Sequence, residues 1–304
     1  MKQKGKNHSP GAPVSAAAPV PAETEPAVQT EAAAPLAQAA APGQQPGRDI
    51  IIVSHVTKIY KMGTERIRAV NDVSFTIQEG EFCCLLGTSG SGKSTLLNLM
   101  AGIEKLTSGD IIIEGHHIQK MSENGLARFR QKYLGFVFQS YNLLNSMTAL
   151  ENVEFPLVFK RYPGGKRRKM AAAMLKKVGL GDRMDHKPKQ MSGGQQQRVG
   201  IARAFIAQPA IVFADEPTGN LDTKTTMEVM DLIKSMSKEN HQTIIMVTHD
   251  PRLAKYGDKI IHILDGEIQN IELHDGEAPE LTDEEETQIT GEKTEEEEHH
   301  EETV

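Results

Sequence analysis

The chain reads Gly87-Thr88-Ser89-Gly90-Ser91-Gly92-Lys93-Ser94-Thr95 immediately after the apolar run 82–86 (Phe-Cys-Cys-Leu-Leu), and a helical run follows. This order predicts a buried strand, a glycine-rich turn and the start of a helix. Glycines let the backbone curl around an anion, so that N–H groups and the helix N-terminus face it. We expect Lys93 to reach the β- and γ-phosphates of a nucleotide and the Ser94 hydroxyl to bind Mg²⁺. The alternative, a glycine-rich loop with a chance Lys-Ser pair, is disfavoured by the strand and helix on either side.

A second predicted strand ends in two carboxylates. Residues 211–214 read Ile-Val-Phe-Ala and are followed by Asp215 and Glu216, as in a buried parallel strand with polar residues at its carboxyl end. We expect Asp215 to hold Mg²⁺, directly or through water, and Glu216 to act as the general base toward an attacking water. Alone, such a pair is more often a solvated strand end or a helix cap. The glycine-rich segment 87–95, which we call the phosphate loop, favours the catalytic interpretation.

A third motif is Met191-Ser192-Gly193-Gly194-Gln195-Gln196-Gln197-Arg198, which opens a helical run to Phe205. A serine cap and two glycines predict an exposed helix N-terminus and therefore a second anion site. Together with the two motifs above, it resembles the signature motif of the ABC-type ATPases. The resemblance implies a head-to-tail homodimer, in which the 192–195 turn of one chain closes on the γ-phosphate held by residues 87–95 of the other. An ordinary cap and turn is the alternative.

The same resemblance implies roles for four more residues, with ATP as the nucleotide and Mg²⁺ as its metal ion. Gln139 matches the glutamine that touches Mg²⁺ and the attacking water, and His249 matches the histidine that contacts the γ-phosphate. Asp222 matches the end of a loop that crosses the dimer interface, and Tyr60 matches the aromatic residue that stacks on adenine. Considered alone, His249 would more often be structural, and Tyr60 a half-buried strand residue.

Strands alternating with helices indicate an α/β chain with a doubly wound sheet. The resemblance implies the P-loop NTPase fold of the ABC ATPases, with a RecA-like core, an antiparallel β-subdomain beside the adenine and an inserted α-helical subdomain at about 139–198. The ATP-binding domain is predicted to span 49–272. The predicted strands are 50–60, 69–77, 81–86, 111–113, 211–214, 243–248, 259–264 and 267–271, and the predicted helices are 125–132, 148–160, 166–178, 195–205 and 222–239.

Both ends of the chain differ in composition from its middle. Residues 1–48 are rich in Ala, Pro, Gln and Glu without an apolar period, which predicts a disordered tail. Residues 272–304 hold 15 acidic residues and one lysine, and we expect 273–304 to be a disordered acidic tail. The whole chain has a net charge of −7. Because residues 272–304 are more negative than this, residues 1–271 carry a net positive charge, and their basic residues are densest at 166–169. The acidic tail is expected to be solubilising, with a regulatory contact to the basic body as the alternative.

The two cysteines, Cys83 and Cys84, are adjacent. Neighbours on a strand point to opposite faces, so we expect core residues in a reducing compartment rather than a disulfide. No apolar stretch approaches the roughly 18–20 residues needed to span a bilayer, and no apolar region follows the lysines of residues 1–8. With the resemblance, this implies a peripheral protein at the cytoplasmic face of a membrane.

Several runs resemble one bacterial branch of the family, which serves lipoprotein release, macrolide and peptide export, and cell division. They include 60–63, 142–144, 150–153 and 214–222. The branch implies an ATPase that drives an integral membrane permease subunit, for export, lipoprotein release or mechanical coupling, with a cell-division or cell-wall regulator as the alternative. We expect Tyr141, Leu143 and Leu144 to form an apolar groove for that subunit, although they could equally close the subdomain core.

A soluble ABC-type ATPase acting on nucleic acid or ribosomes is a function of a different class. Such proteins usually carry a long coiled-coil insertion, zinc-site cysteines or two ATPase cassettes. This chain has one phosphate loop, two adjacent cysteines and no sustained heptads. We therefore expect no nucleic-acid partner.

Overall fold

The structure, a computed structural model, describes residues 47–274, without the side chain of Met62. The predicted tails 1–48 and 273–304 lie outside the described residues, except for two positions of each. The strands are β1 (Asp49–Met62), β2 (Glu65–Gln78), β3 (Phe82–Leu86), β4 (Ser108–Ile113), β5 (His116–His117), β6 (Leu134–Phe138), β7 (Ile211–Asp215), β8 (Thr243–Thr248), β9 (Lys259–Leu264) and β10 (Glu267–Leu273). The helices are α1 (Lys93–Met100), α2 (Glu123–Tyr133), α3 (Ala149–Phe159), α4 (Gly164–Lys177), α5 (Gly193–Phe205), α6 (Thr223–Asn240) and α7 (Pro251–Ala254).

Six strands form the core sheet in the order β10-β9-β3-β8-β7-β6. The five strands from β9 to β6 are parallel, and β10 adds an antiparallel edge. Strands β3 and β8 are buried at every position and β7 at all but its last. A strand covered on both faces reads as a continuous apolar run, because neither face meets water. The predicted α/β fold is confirmed.

The second sheet is antiparallel, in the order β2-β1-β4-β5. Strands β1 and β2 pair along almost their whole length, with Tyr60 opposite Ile67. Their hairpin closes at Gly63, whose φ of +61° lies in the left-handed region that glycine adopts without steric cost. Both strands run on toward this turn, beyond the predicted segments 50–60 and 69–77.

The helices begin where their caps place them. The Thr148 hydroxyl accepts a hydrogen bond from the Glu151 N–H, and the Glu151 carboxylate accepts one from the Thr148 N–H, so that α3 starts with a reciprocal cap. Helix α4 starts at Gly164, two residues before its predicted start, and Pro163 is its N-cap. Helix α5 likewise starts at Gly193 rather than at 195. No helix of residues 47–274 is long and apolar enough to cross a membrane.

Two hydrophobic clusters lie on opposite faces of β3. Cys84 belongs to the cluster shared with α3, α5 and α6, whereas Cys83 belongs to the cluster shared with α1, α2 and the antiparallel sheet. Both thiols are free and fully buried, and burial raises the pKa of each. Adjacent positions on a strand cannot face each other. The prediction of two separate core cysteines is confirmed.

Candidate nucleotide-binding site

Four neighbouring strands of the core sheet end at the same edge. The register pairs Leu86 with Thr248, Asp215 with Val247, and Phe138 with Asp215. Because these strands are parallel, the residues that follow them along the chain come together beyond their carboxyl ends. The edge therefore collects the 87–95 loop from β3, Gln139 from β6, Glu216 from β7 and His249 from β8.

The backbone of the phosphate loop depends on two of its glycines. Gly92 caps α1 with a φ of +99°, and an added Cβ would lie 2.2 Å from the Ala69 carbonyl oxygen of β2. An added Cβ on Gly87 would lie 2.1 Å from the Ile263 carbonyl oxygen of β9. Separations this short exclude any side chain at either position. The loop therefore packs against both sheets at once.

A turn from the end of the described chain holds this loop in place. The Gly266 N–H donates a hydrogen bond to the Ser91 carbonyl oxygen at 3.0 Å, and the Asn71 N–H donates to the Gly266 carbonyl oxygen at 2.8 Å. Gly266 has a φ of +80° in the turn between β9 and β10. The Asp265-Gly266 pair predicts the hairpin turn, but nothing in the sequence indicates that the turn joins the phosphate loop to the antiparallel sheet.

Lys93 lies across the loop as its first helical residue. Its side chain is buried, and Nζ donates to the carbonyl oxygens of Gly87 at 2.8 Å and Thr88 at 2.6 Å, with the Ser91 hydroxyl at 3.4 Å. Burial lowers the pKa of the ammonium, while the charges of Glu216 and Asp215 oppose that shift. The loop thus presents a preorganised cation beside exposed residues 88–90.

The Ser94 hydroxyl donates a hydrogen bond to Asp215 Oδ1 at 3.0 Å. Burial raises the pKa of Asp215 and the neighbouring Glu216 charge adds to the rise, whereas the bond from Ser94 and the charge of Lys93 oppose it. Among the described residues, Asp215 forms no ion pair with a basic side chain. Carboxylate and hydroxyl oxygens are the hard ligands that Mg²⁺ prefers, so the pair fits this cation.

Glu216 and His249 form the next pair along the edge, with Oε1 and Nδ1 3.3 Å apart. Glu216 has a φ of +44°, in the left-handed region that costs a non-glycine residue energy, and its N–H donates to the Val247 carbonyl oxygen at 3.1 Å. Its carboxylate is 25% exposed and the His249 ring 61% exposed. A carboxylate held this way can accept a proton from a water molecule at the rim of the site.

The 192–195 turn opens α5 on its own. The Ser192 hydroxyl accepts from the Gln195 N–H at 3.3 Å, and the Gln195 side chain accepts from the Ser192 N–H at 3.1 Å. An added Cβ on Gly193 would lie 2.8 Å from the Tyr141 hydroxyl oxygen, and one on Gly194 would lie 2.5 Å from Thr225 Cγ2. None of the hydrogen bonds or ion pairs of residues 47–274 joins this turn to the 87–95 loop.

Comparison with known proteins identifies the family. Residues 70–219 match the ABC transporter family model. An uncharacterized ABC transporter ATP-binding protein of Thermotoga maritima is 47% identical over 217 residues, which are 71% of this chain and 92% of the relative. An uncharacterized ABC transporter ATP-binding protein of Methanocaldococcus jannaschii, MJ1508, is 49% identical over 73% of this chain and 99% of its own length. The chain belongs to the ABC transporter ATP-binding proteins.

Solved structures of an ABC cassette share its fold. The dimeric post-hydrolysis structure of MJ0796 from M. jannaschii, bound to ADP and Pi, is 45% identical and covers 73% of this chain and 98% of its own, with a TM-score of 0.69. A second dimeric structure of MJ0796 has the same TM-score. The predicted fold and family are therefore confirmed, and the chain is an ABC-type ATPase.

In this ABC cassette, Gln139 lies toward the 219–220 segment. Its carbonyl oxygen accepts from Asn220 Nδ2 at 3.0 Å, and an added Cβ on Gly219 would lie 2.6 Å from Gln139 Nε2. Within the described chain no hydrogen bond joins its amide to Ser94 or Asp215. Gln139 thus lies at the same sheet edge as Ser94 and Asp215, while its side chain faces Gly219.

Tyr60 lies on β1 of the antiparallel sheet. Its hydroxyl donates to the Glu104 carboxylate, and burial raises its pKa. Lys58 Nζ lies 4.8 Å from the centre of the ring. The ring is therefore held beside the loop by its hydroxyl end. Sequence reasoning missed Glu104, which no motif marks.

Asp222 caps α6. Its Oδ1 accepts from the Thr225 N–H at 2.8 Å and its Oδ2 from the Thr225 hydroxyl at 2.7 Å, and these bonds lower its pKa. The residue follows the 219–221 segment that Gln139 touches. Its position at the start of a helix accounts for an aspartate here without a ligand.

The apolar groove beside Gln139 differs from the predicted one. Its volume is about 230 Å³, and its lining includes Phe138, Asn142, Pro156, Phe159 and Arg203. Leu143 packs against the core instead, and Tyr141 and Leu143 do not line the groove. Leu143 thus follows the alternative of closing the core, whereas Leu144 is 40% exposed. Residues 141–142 turn through positive φ, and a partner groove that includes Tyr141 and Leu144 stays a prediction. Arg203 holds that turn by donating to the Tyr141 and Asn142 carbonyl oxygens, at 2.8 and 2.6 Å.

Proposed function

We propose that this chain hydrolyses ATP at the sheet edge described above and transmits the resulting motion to a membrane permease subunit. The observation that carries the proposal is the union of two distant motifs, in which the Ser94 hydroxyl bonds Asp215 beside the Glu216–His249 pair. The proposed phosphate-binding, metal-binding and proton-accepting residues all follow strands that end at this edge, which supports the proposal. Residues 87–95 would bind the triphosphate.

Ser94 and Asp215 are the residues that would hold Mg²⁺, with Gln139 joining them after its side chain turns away from Gly219. When bound, the ion would neutralise negative charge on the triphosphate. Lys93 already aims its N–H groups at loop oxygens, so it contacts a phosphate by exchanging a carbonyl oxygen for it. This exchange needs little movement of a side chain that is buried from the start.

Glu216 would take a proton from the attacking water, and His249 would contact the γ-phosphate. Their 3.3 Å separation holds the carboxylate toward the rim, where water has access. The left-handed backbone of Glu216 fixes the direction of its side chain, and retained strain of this kind is typical of functional positions. Tyr60 would stack on the adenine from the antiparallel sheet.

We infer that two copies complete two sites. The 192–195 turn carries first-turn N–H groups, an anion-binding feature, and lies apart from the phosphate loop of its own chain. A second chain placed head to tail would bring its Ser192, Gly193, Gly194 and Gln195 against the γ-phosphate, with the 219–222 segments meeting across the interface. MJ0796, the relative of known structure, has been solved as a dimer.

The proposed partner is an integral membrane permease subunit of the branch that serves lipoprotein release, macrolide export and cell division. Its coupling segment would occupy the groove beside Phe138 and Phe159, because the groove adjoins Gln139 at the nucleotide edge. Exposed apolar side chains at Val158 and Phe159 support an apolar contact there. The chain would then act as a peripheral subunit at the cytoplasmic face, driving export, lipoprotein release or mechanical coupling.

Glu216→Gln tests the proposal. Loss of the base should lower ATP turnover about 10²–10⁴-fold, while ATP binding persists and a dimer accumulates, measured by light scattering with ATP and Mg²⁺. Glu65→Gln, at an exposed residue of the β1–β2 hairpin, is the matched control and should behave as the parent. Unimpaired turnover would remove Glu216 as the base. A strictly monomeric variant, with ATP and with the permease, would reject the shared site.

A further inference from the structure

Helix α4 carries six basic residues and no acidic one. Five of them are exposed, and we call four of these, Lys166, Arg168, Lys169 and Lys176, the α4 basic surface. Within residues 47–274 none of the four forms an ion pair, in contrast to Lys177, which pairs with Glu239 of α6. Three of these cations lie in or next to the first turn, where the positive end of the helix dipole repels them. An anionic partner would relieve this repulsion and the mutual repulsion of the four cations.

The strongest anionic segment of the protein begins where the described chain ends. Residues 275–304 contain 14 acidic residues and one lysine. They follow His274, whose N–H donates to the Asp258 carbonyl oxygen at 2.8 Å. The same turn packs on α6, because the Tyr256 hydroxyl donates to Asp231 Oδ1 at 3.0 Å.

A continuous path of contacts leads from that point to the α4 basic surface. Helix α6 runs from Asp231 past the exposed Lys238 to Glu239, and Glu239 pairs with Lys177 at the end of α4. At 1.5 Å per residue, the span from Asp231 to Glu239 is about 12 Å and α4 is about 21 Å long. Thirty residues reach about 100 Å when extended and average about 30 Å as a coil. The segment is long enough to cover all of α4.

We propose that the acidic segment 275–304 docks on the α4 basic surface of its own chain. Attachment through β10 keeps the segment at a high local concentration, so weak individual ion pairs suffice. The charges are complementary. Within residues 47–274 no carboxylate lies within ion-pair distance of the four cations, and the Glu151 carboxylate of α3 interacts with Arg168 at longer range. The contact links the core, through α6 and β10, to the helical layer that carries the groove. It is independent of the site roles proposed above.

Zero-length carbodiimide cross-linking of the full-length chain, followed by peptide mapping, tests the contact. Carboxylates of 275–304 should join Lys166, Lys169 and Lys176, and the yield should fall at 0.5 M NaCl, where the Debye length is about 4 Å. The triple variant K166E/K169E/K176E removes those three amines, so its readout is Lys177, whose cross-links to 275–304 should fall. Its substitutions are exposed, and Lys166 lies in the first turn of α4, where an acidic residue is favoured. K120E/K132E, also at exposed positions, is the matched control and should keep them.

Four outcomes would overturn the proposal. These are cross-links spread evenly over exposed lysines, cross-links to the lysines of residues 1–8, cross-links between isotopically distinct chains mixed at equal concentration, and no salt dependence. The α4 basic surface could instead bind an anionic lipid surface, and vesicles containing 30% phosphatidylglycerol distinguish this alternative from docking of the acidic segment. Replacing the eight carboxylates of 283–286 and 295–298 by amides should uncover α4 and raise vesicle binding several-fold. Equal binding of parent and variant would mean that the segment does not cover this surface.

Discussion

The Ser94 hydroxyl donates to Asp215 Oδ1 at 3.0 Å, although the two residues are 121 positions apart in the chain. The bond joins the start of α1 to the end of β7. It therefore depends on the relative positions of the loop that follows β3 and the carboxyl end of β7. It also supplies one of the few interactions that favour the charged form of a carboxylate whose burial favours the neutral form.

Asp215→Asn should therefore stabilise the nucleotide-free chain at neutral pH. The folded-state pKa of Asp215 is raised, so ionisation at pH 7 opposes folding, and the amide removes that cost. The gain in melting temperature should shrink as the pH falls through the raised pKa, and vanish below the ordinary value of about 3.9, where both states are protonated. Melting curves from pH 3 to pH 8 measure it.

The same variant should bind Mg²⁺ about 10–100-fold more weakly, as seen in ATPase assays titrated with the metal. Asp182→Asn, at an exposed carboxylate, is the control and should change neither property. A variant less stable than the parent at pH 7 would show that Ser94 stabilises the carboxylate more than burial destabilises it.

Gly92→Ala and Gly90→Ala should differ sharply. Both glycines have positive φ, but a Cβ at Gly92 would meet the Ala69 carbonyl oxygen at 2.2 Å, whereas a Cβ at Gly90 would meet nothing within 4 Å. Gly90→Ala should cost only the left-handed penalty of about 1–2 kcal/mol. Gly92→Ala should also displace the loop and abolish nucleotide binding. Urea unfolding and ATP affinity measure the two effects, and an equal loss in both variants would contradict the packing of the loop on β2.

Tyr60→Ala should weaken ATP binding about 2- to 12-fold, the range expected for a lost aromatic stack. Binding of inorganic triphosphate should stay unchanged, because the ring lies beside the loop rather than in it. Tyr60→Phe keeps the ring, loses the bond to Glu104, and should stay within about 2-fold of the parent. If ATP and triphosphate affinities fell together in Tyr60→Ala, the residue would support the loop rather than the adenine.

Asn152→Ala should destabilise the chain by about 2–4 kcal/mol. The side chain is fully buried and accepts from the Leu144 N–H at 2.8 Å, while its amide donates to carbonyl oxygens of Leu144, Met147 and Thr148. Removing it leaves those buried groups unpaired. Glu154→Ala on the same helix is the control, and denaturant midpoints compare the two. A small effect would mean that water replaces the amide.

Local sequence patterns predicted the parts of the fold that depend on neighbouring residues. Continuous apolar runs located β3, β7 and β8, and the strand period placed Cys83 and Cys84 in different clusters. The motifs after those strands also named residues that the structure collects at one edge. Parallel strands share the direction of their carboxyl ends, so a pattern along the chain becomes a position in space.

Features that depend on contacts between distant segments were beyond the sequence. The positive φ at Glu216, the redirection of 141–142 and the capture of their carbonyl oxygens by Arg203 each arise from packing. Nothing local distinguishes an arginine that binds carbonyl oxygens from one that faces solvent.

The hydrogen bonds of Gly266 have a consequence for the shape of the pocket. Its N–H holds Ser91 and its carbonyl oxygen holds Asn71, so three separate segments are fastened at one peptide unit. A chain cut before the β9–β10 hairpin would retain every residue of the phosphate loop. It would lose the two hydrogen bonds that connect this loop, through Gly266, to the antiparallel sheet. Residues far along the chain from the 87–95 loop thus help to fix where this loop lies against the antiparallel sheet.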